Sequence, residues 1–278
     1  MTRWISRLDL ESLANLVPLC SMCFAAYLVA CSSSGSQNPT QSDTARSTAE
    51  YDLASDLWLR RGEPRKALEH ALEAVELDDD NAQAAHLVAL IYLDFCNRDD
   101  NECRLDEAER YARAAIDADE EFREAKNTLG VILIHQNRLR QAILVLRELS
   151  QDILYQTPEN AWGNLGWAYL EAGQTERAIE ALLRSTAVQP NFCVGHYRLG
   201  LAYERKKNFD GAMAAYTRAL EVDHPRCKAM QVAYVHRAKT ALQLGRQDEA
   251  RKDLEACVHL DKSTPSGREC GALLVSLQ

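Results

Sequence analysis

Trp162-Gly163-Asn164-Leu165-Gly166-Trp167-Ala168-Tyr169, followed by Gly173, Ala178 and Pro190, is the stretch on which the reading of the fold turns. Its spacing is W-x2-L-G-x2-Y, then a glycine, an alanine and a proline, and it describes two helices joined by a tight turn. Gly173 suits the left-handed residue that ends the first helix, as Gly62 and Gly245 do elsewhere in the chain. Ala178 is the small residue that lets the second helix approach the first. The same closing alanine recurs as Ala67, Ala108, Ala142, Ala212 and Ala250, and the matching position on the first helix holds Ser55, Ala89, Gly130, Gly166, Gly200 and Ala238. No segment shows sustained alternation of period two, so no sheet is expected.

The frame resembles the tetratricopeptide repeat, whose units each supply one helix pair that buries its apolar face only by stacking on its neighbours. The resemblance implies an all-α superhelical solenoid of six units, 48–81, 82–122, 123–158, 159–192, 193–230 and 231–264, followed by a capping helix within 265–278. Irregularities fall at the joints: extra residues at Cys96–Cys103, before Pro158 and around His224-Pro225-Arg226-Cys227. In this family the concave face is lined by the first helix of each pair. Mapping its positions gives Leu90, Leu93, Val131, Ile134, Trp167, Leu170, Tyr197 and Leu201, an apolar strip suited to a hydrophobic peptide or helix. The same side chains also suit simple packing between neighbouring first helices. The Asn and Lys set with which chaperone-binding members hold a peptide carboxylate is not found at these places.

Ahead of the repeats, Leu28-Val29-Ala30-Cys31 closes an apolar stretch and resembles a bacterial lipobox. Leu16 to Ala30 is 15 residues with Pro18 inside it, short for a spanning helix, which needs roughly 20. Residues 1–30 therefore read as a lipoprotein signal peptide. The resemblance implies diacylglycerol and an N-acyl chain on Cys31; two or more chains hold a protein stably on a bilayer. Ser32 after the cysteine goes, in enteric-type lipoproteins, with delivery to the outer membrane. After Cys31 the chain from Ser32 to about Ser47 is mostly Ser, Gln, Thr, Asn and Gly with almost no apolar side chain, which predicts a flexible tether over 31–47 of roughly 20–25 Å reach.

Composition excludes several classes of function. Removing Arg3, Arg7, Asp9 and Glu11 with the leader leaves the formal net charge at −9, so nucleic acid, which requires a basic face, is not an expected partner. The seven histidines are scattered, and H-E-x-x-H, G-x-S-x-G and G-x-x-x-x-G-K-[ST] are all absent, so neither catalysis, a cofactor, a small-molecule substrate nor a metal is expected. With Cys20 and Cys23 in the leader and Cys31 lipidated, six cysteines remain. An oxidising compartment would favour disulfides, and proximity favours Cys96–Cys103 across one loop, Cys193–Cys227 at the starts of successive first helices and Cys257–Cys270 pinning the cap. Buried free thiols are the alternative, and Cys193-x2-His196 with His224-x2-Cys227 would also present two sulfurs and two nitrogens to zinc.

A sharper resemblance sits at the third joint. Ser150-Gln151-Asp152-Ile153-Leu154-Tyr155, then Pro158 and Asn164-Leu165-Gly166, is similar to the S-x-D-x-L-Y…NLG passage of the type IV pilus pilotins, the PilF/PilW/Tgl lipoproteins, and most like their Tgl branch. The resemblance implies an outer-membrane, periplasm-facing lipoprotein that binds secretin subunits of the pilus machine and promotes their insertion and multimerisation. A lipid-anchored scaffold for peptidoglycan enzymes, or for another outer-membrane assembly machine, is the alternative.

Overall fold

The computed structural model describes residues 40–98 and 103–277. The leader, Cys31 and the tether up to residue 39 lie outside the described residues. Fourteen helices are described, and among the described residues there is no strand. Six of the connections make antiparallel pairs: α1 (Gln41–Leu59) with α2 (Pro64–Leu77), α3 (Ala82–Arg98) with α4 (Leu105–Ala118), and α5 (Arg123–His135) with α6 (Leu139–Gln151). Then come α7 (Pro158–Glu171) with α8 (Thr175–Val188), α9 (Cys193–Arg205) with α10 (Phe209–Glu221), and α12 (Gln231–Gln243) with α13 (Gln247–Leu260). The extra residues near His224 fold into a single turn, α11 (Pro225–Lys228), and α14 (Pro265–Ser276) packs on α13 and α12 as a cap. None of the described helices is long and apolar enough to cross a membrane.

The stack is a solenoid because the first helix of each pair meets the first helix of the next, α1 with α3, α3 with α5, α5 with α7 and α7 with α9, while each second helix wedges between successive first helices. The six closing alanines are all fully buried. Opposite them the backbones come so close that a Cβ at Gly166 would lie 2.5 Å from Leu182 Cγ, and one at Gly130 2.5 Å from Leu146 Cγ. The turn after five of the six first helices uses one left-handed residue at a fixed place in the frame: Gly62, Asn137, Gly173, Lys207 and Gly245. In the second repeat the matching place is Cys96, still inside α3 and joined by a disulfide to Cys103; residues 99–102 between them lie outside the described residues.

The tether expectation needs correction. Residues 41–47 are helical and belong to α1. Thr40 caps the helix: its hydroxyl accepts the Asp43 amide at 3.2 Å, and the Asp43 carboxylate accepts the Thr40 amide at 3.3 Å. Ser47 is fully buried; its hydroxyl donates to the Ala74 carbonyl at 2.7 Å and accepts from Asn81 Nδ2 at 2.8 Å. The segment folds through a cap and a buried hydroxyl rather than through apolar side chains, so its polar composition disguised it.

Candidate functional site

The first helices α3, α5, α7 and α9 present the mapped strip, and the structure divides it in two. Leu90, Val131, Trp167, Tyr197 and Leu201 keep part of their surface open to solvent. Leu93, Ile134 and Leu170 do not. They are core residues, 9%, 5% and 1% exposed, packed where neighbouring helices meet. For these three the groove assignment is corrected to interhelical packing: stacking turns their side of each first helix into the seam between repeats.

Trp167 stands at the centre of what remains. Its ring meets His135 of α5 edge-on at 5.2 Å between centroids, and the Arg198 guanidinium of α9 lies 4.6 Å above it, so three successive first helices converge on one indole. Arg198 also donates to Asn164 Oδ1 at 2.7 Å, and Asn164 donates in turn to Asn127 Oδ1 at 2.9 Å. Among the described residues Arg198 has no carboxylate partner. Burial of the cation pulls its pKa down to about 10. The strip is therefore apolar on either side of a half-buried cation that has no carboxylate partner among the described residues. Asn127, Asn164, Arg198 and His135 were missed by the sequence reading because charged and amide residues on a helix read as a solvated face. The N-L-G run was the available signal, since it fixes Asn164 one turn from the apolar strip.

Tyr197 lies beside this centre with its ring 5.8 Å from His236 and 6.0 Å from Tyr216. Burial first, and then the nearby Glu204 carboxylate, push its phenol up to about 12. Glu204 accepts from His236 Nδ1 at 2.9 Å and from the Thr240 hydroxyl at 2.6 Å, which ties the fifth repeat to the sixth.

The cysteines are joined as Cys96–Cys103, Cys193–Cys227 and Cys257–Cys270, with Cα separations of 4.1, 5.8 and 6.2 Å. With both sulfurs of the second pair oxidised, the zinc arrangement lacks its thiolates. His196 Nε2 is instead bonded to the Pro190 carbonyl at 2.9 Å, and His224 Nδ1 caps α11 by accepting the Arg226 amide at 3.2 Å. On the first hairpin Glu50, His70 and Glu73 place their polar atoms within 4.8 Å of one another, and a 2.6 Å hydrogen bond joins His70 Nδ1 to Glu50 Oε2.

Models of the tetratricopeptide repeat match residues 104–153, 159–192, 194–224 and 232–264, together more than half of the sequence. The chain belongs to the tetratricopeptide repeat family. Over 169 residues it is 29% identical to the type IV pilus assembly protein PilF of Pseudomonas aeruginosa, an alignment covering 60% of this chain and 64% of PilF, a little under two thirds of that relative's length. Among solved structures, PilW, described as a widely conserved type IV pilus biogenesis factor, matches with a TM-score of 0.67 at 21% identity over 80% of this chain and 97% of PilW. The Pseudomonas aeruginosa PilF structure matches with a TM-score of 0.63 at 19% identity over 84% of this chain and all of that one. At those identities the two structures speak for the fold, and the PilF alignment makes this tetratricopeptide repeat protein a relative of the pilus assembly proteins.

Proposed function

We propose that this protein is a pilotin of the Tgl type: an outer-membrane lipoprotein, anchored through acyl chains on Cys31 and facing the periplasm, that binds secretin subunits of the type IV pilus and promotes their insertion and multimerisation. The observation that carries the reading is the alignment with PilF, a type IV pilus assembly protein, over 60% of this chain. The groove supplies a mechanism. Val131, Trp167 and Leu201 offer apolar surface to a secretin segment, and Arg198, with donors left over from its bond to Asn164, meets a carboxylate or a carbonyl on that segment. Holding monomers close to the bilayer raises their local concentration, which favours ring assembly without any chemical step. The protein acts in this reading as a binding scaffold, and pilus-dependent motility requires it.

Trp167→Ala in the intact lipoprotein tests the proposal. Cells carrying it should keep secretin polypeptide yet lack heat-resistant multimers and surface pili, while the variant retains its helical circular dichroism. Normal multimers in that strain, or in one carrying Cys31→Ala, would overturn the reading; altered cell-wall crosslinking with normal multimers would point to a peptidoglycan scaffold.

A further inference from the structure

The joint between α6 and α7 holds two large aliphatic side chains out into solvent: Ile153 is 95% exposed and Leu154 is 60% exposed. The loop that carries them is braced at both ends. Asp152 accepts the Leu154 amide at 2.8 Å through one carboxylate oxygen and Arg123 Nε at 2.7 Å through the other. Three residues after Asp152, Tyr155 is buried against Leu149 and Ala161. A loop fixed in this way does not fold its apolar tip back onto the protein, and fixed, exposed aliphatics mark a contact site.

A recess of about 190 Å³ adjoins the loop, floored by Ile116, Leu129, Val145 and Leu149 with Lys126, Glu148 and Asp152 at its margin. That is room for roughly six waters at about 30 Å³ each, or for one branched apolar side chain. The surroundings are acidic: Asp117, Asp119, Glu120, Glu121, Glu124 and Glu148 are all exposed. Arg123 is committed to Asp152 and Glu121, which leaves Lys126 and Arg147 against them.

We propose that this corner is a second docking site, separate from the concave groove, for an amphipathic protein helix whose apolar side is flanked by Lys or Arg. One apolar side chain of the helix enters the recess, Ile153 and Leu154 pack along its flank, and its basic residues face the acidic margin. Charge selects this occupant over the other two: an anionic bilayer is repelled by the margin, and a second copy would bring two acidic margins together.

The probe is a fluorescent amphipathic helix of Leu and Lys, titrated by anisotropy against the full-length protein at about 0.15 M salt, where surface charges are screened beyond roughly 8 Å. Ile153→Ser/Leu154→Ser should weaken binding by roughly tenfold or more with unchanged helicity. Glu120→Gln/Glu124→Gln should weaken it less and flatten its salt dependence, and Trp167→Ala should leave it unchanged. Equal binding by the 153/154 variant, or an equal loss with Trp167→Ala, would overturn the site. So would 153/154-dependent flotation with phosphatidylethanolamine/phosphatidylglycerol vesicles, or a 153/154-dependent dimer in sedimentation velocity. Because the groove variant is a separate arm, this site and the pilotin reading fail independently.

Discussion

Repeats one to four and repeats five to six are held together by different means. The first four share one continuous apolar core that runs from Ala54 and Leu57 through Ile91, Ile132, Leu133 and Leu146 to Ala181. Their single disulfide closes a loop between the helices of one repeat and crosses no repeat boundary. Two small satellites, around Ala85 and around Leu149, flank that core; from repeat four onward it breaks into separate clusters, one joining Leu170, Ala178 and Leu182 to Leu199 and Ala202, then those around Cys193 and Cys227 and around Leu254 and Cys257. There, at the place in the frame where Val88, Leu129, Leu165 and Leu199 pack, stands Arg237, paired with the buried Asp253 through bonds of 2.6 and 2.8 Å. A buried ion pair in place of two apolar side chains adds little net stability. What compensates is covalent: Cys193–Cys227 carries α9 across to the turn before α12, and Cys257–Cys270 fastens the cap to α13. A solenoid whose stability is a sum of nearest-neighbour terms tolerates a weak interface if a crosslink spans it.

The largest expected effect comes from removing those two crosslinks. Replacing Cys193 and Cys227 by Ala frees a loop of 34 residues and replacing Cys257 and Cys270 one of 13, each worth roughly 3–4 kcal/mol by the chain-entropy relation. Hydrogen exchange should then quicken across α9–α14 and stay unchanged across α3–α7. Removing Cys96 and Cys103 should loosen only their own loop. Uniform loosening of the whole stack by the C-terminal variants would mean that the two halves are one cooperative unit and the contrast is false.

The contrast was partly legible in the amino-acid sequence. Ala67, Ala108, Ala142, Ala178, Ala212 and Ala250 gave away the helix pairs because close approach of two backbones tolerates little beyond a methyl group, and such a constraint leaves the same residue at the same place each time. Leu93, Ile134 and Leu170 misled because a leucine looks the same in a groove and in a seam; the turn of each repeat on the next decides between them, and no single repeat encodes it. Arg198 was invisible for the opposite reason. Its partial burial comes with contacts to Trp167 and Asn164 of the preceding repeat, far off in the frame of its own helix. The helix over 41–47 escaped notice because Ser47 stands where an apolar residue was sought.

Acid should act on the first half through His86. Its Nε2 bonds the Thr128 hydroxyl at 2.8 Å, its ring packs edge-on against Phe122 at 4.9 Å, and burial lowers its pKa from 6.5 to about 4. The folded state therefore binds this proton later than the unfolded chain does. The stability tied to His86 is present in full above pH 6.5 and is lost progressively as the pH falls towards 4, by roughly 3 kcal/mol as an upper bound. His135 and His196 are also lowered by burial and add with the same sign. Urea midpoints measured from pH 7 to pH 4 should fall less steeply for His86→Asn, which keeps a donor for Thr128, than for the parent protein. An unchanged slope would remove His86 from the account.

The smallest effect tests the two halves at the same structural place. Lys207 turns α9 into α10 and Asn137 turns α5 into α6, both with positive φ, 59° and 58°, where three other repeats use glycine. A Lys held there carries a steric penalty of roughly 1 kcal/mol, whereas Asn is among the side chains that visit this region readily. Glycine also enlarges the freedom of the unfolded chain, which offsets part of the gain. Lys207→Gly should therefore stabilise the protein by up to about 1 kcal/mol, and Asn137→Gly by close to nothing. The difference is read as a shift in urea midpoint with the disulfides intact. It should persist when Cys193 and Cys227 are absent, because the penalty belongs to the turn and not to the bridge. If Lys207→Gly helps only in the bridged protein, the turn between α9 and α10 is shaped by the crosslink, and the covalent and packing contributions to the second half are coupled rather than additive.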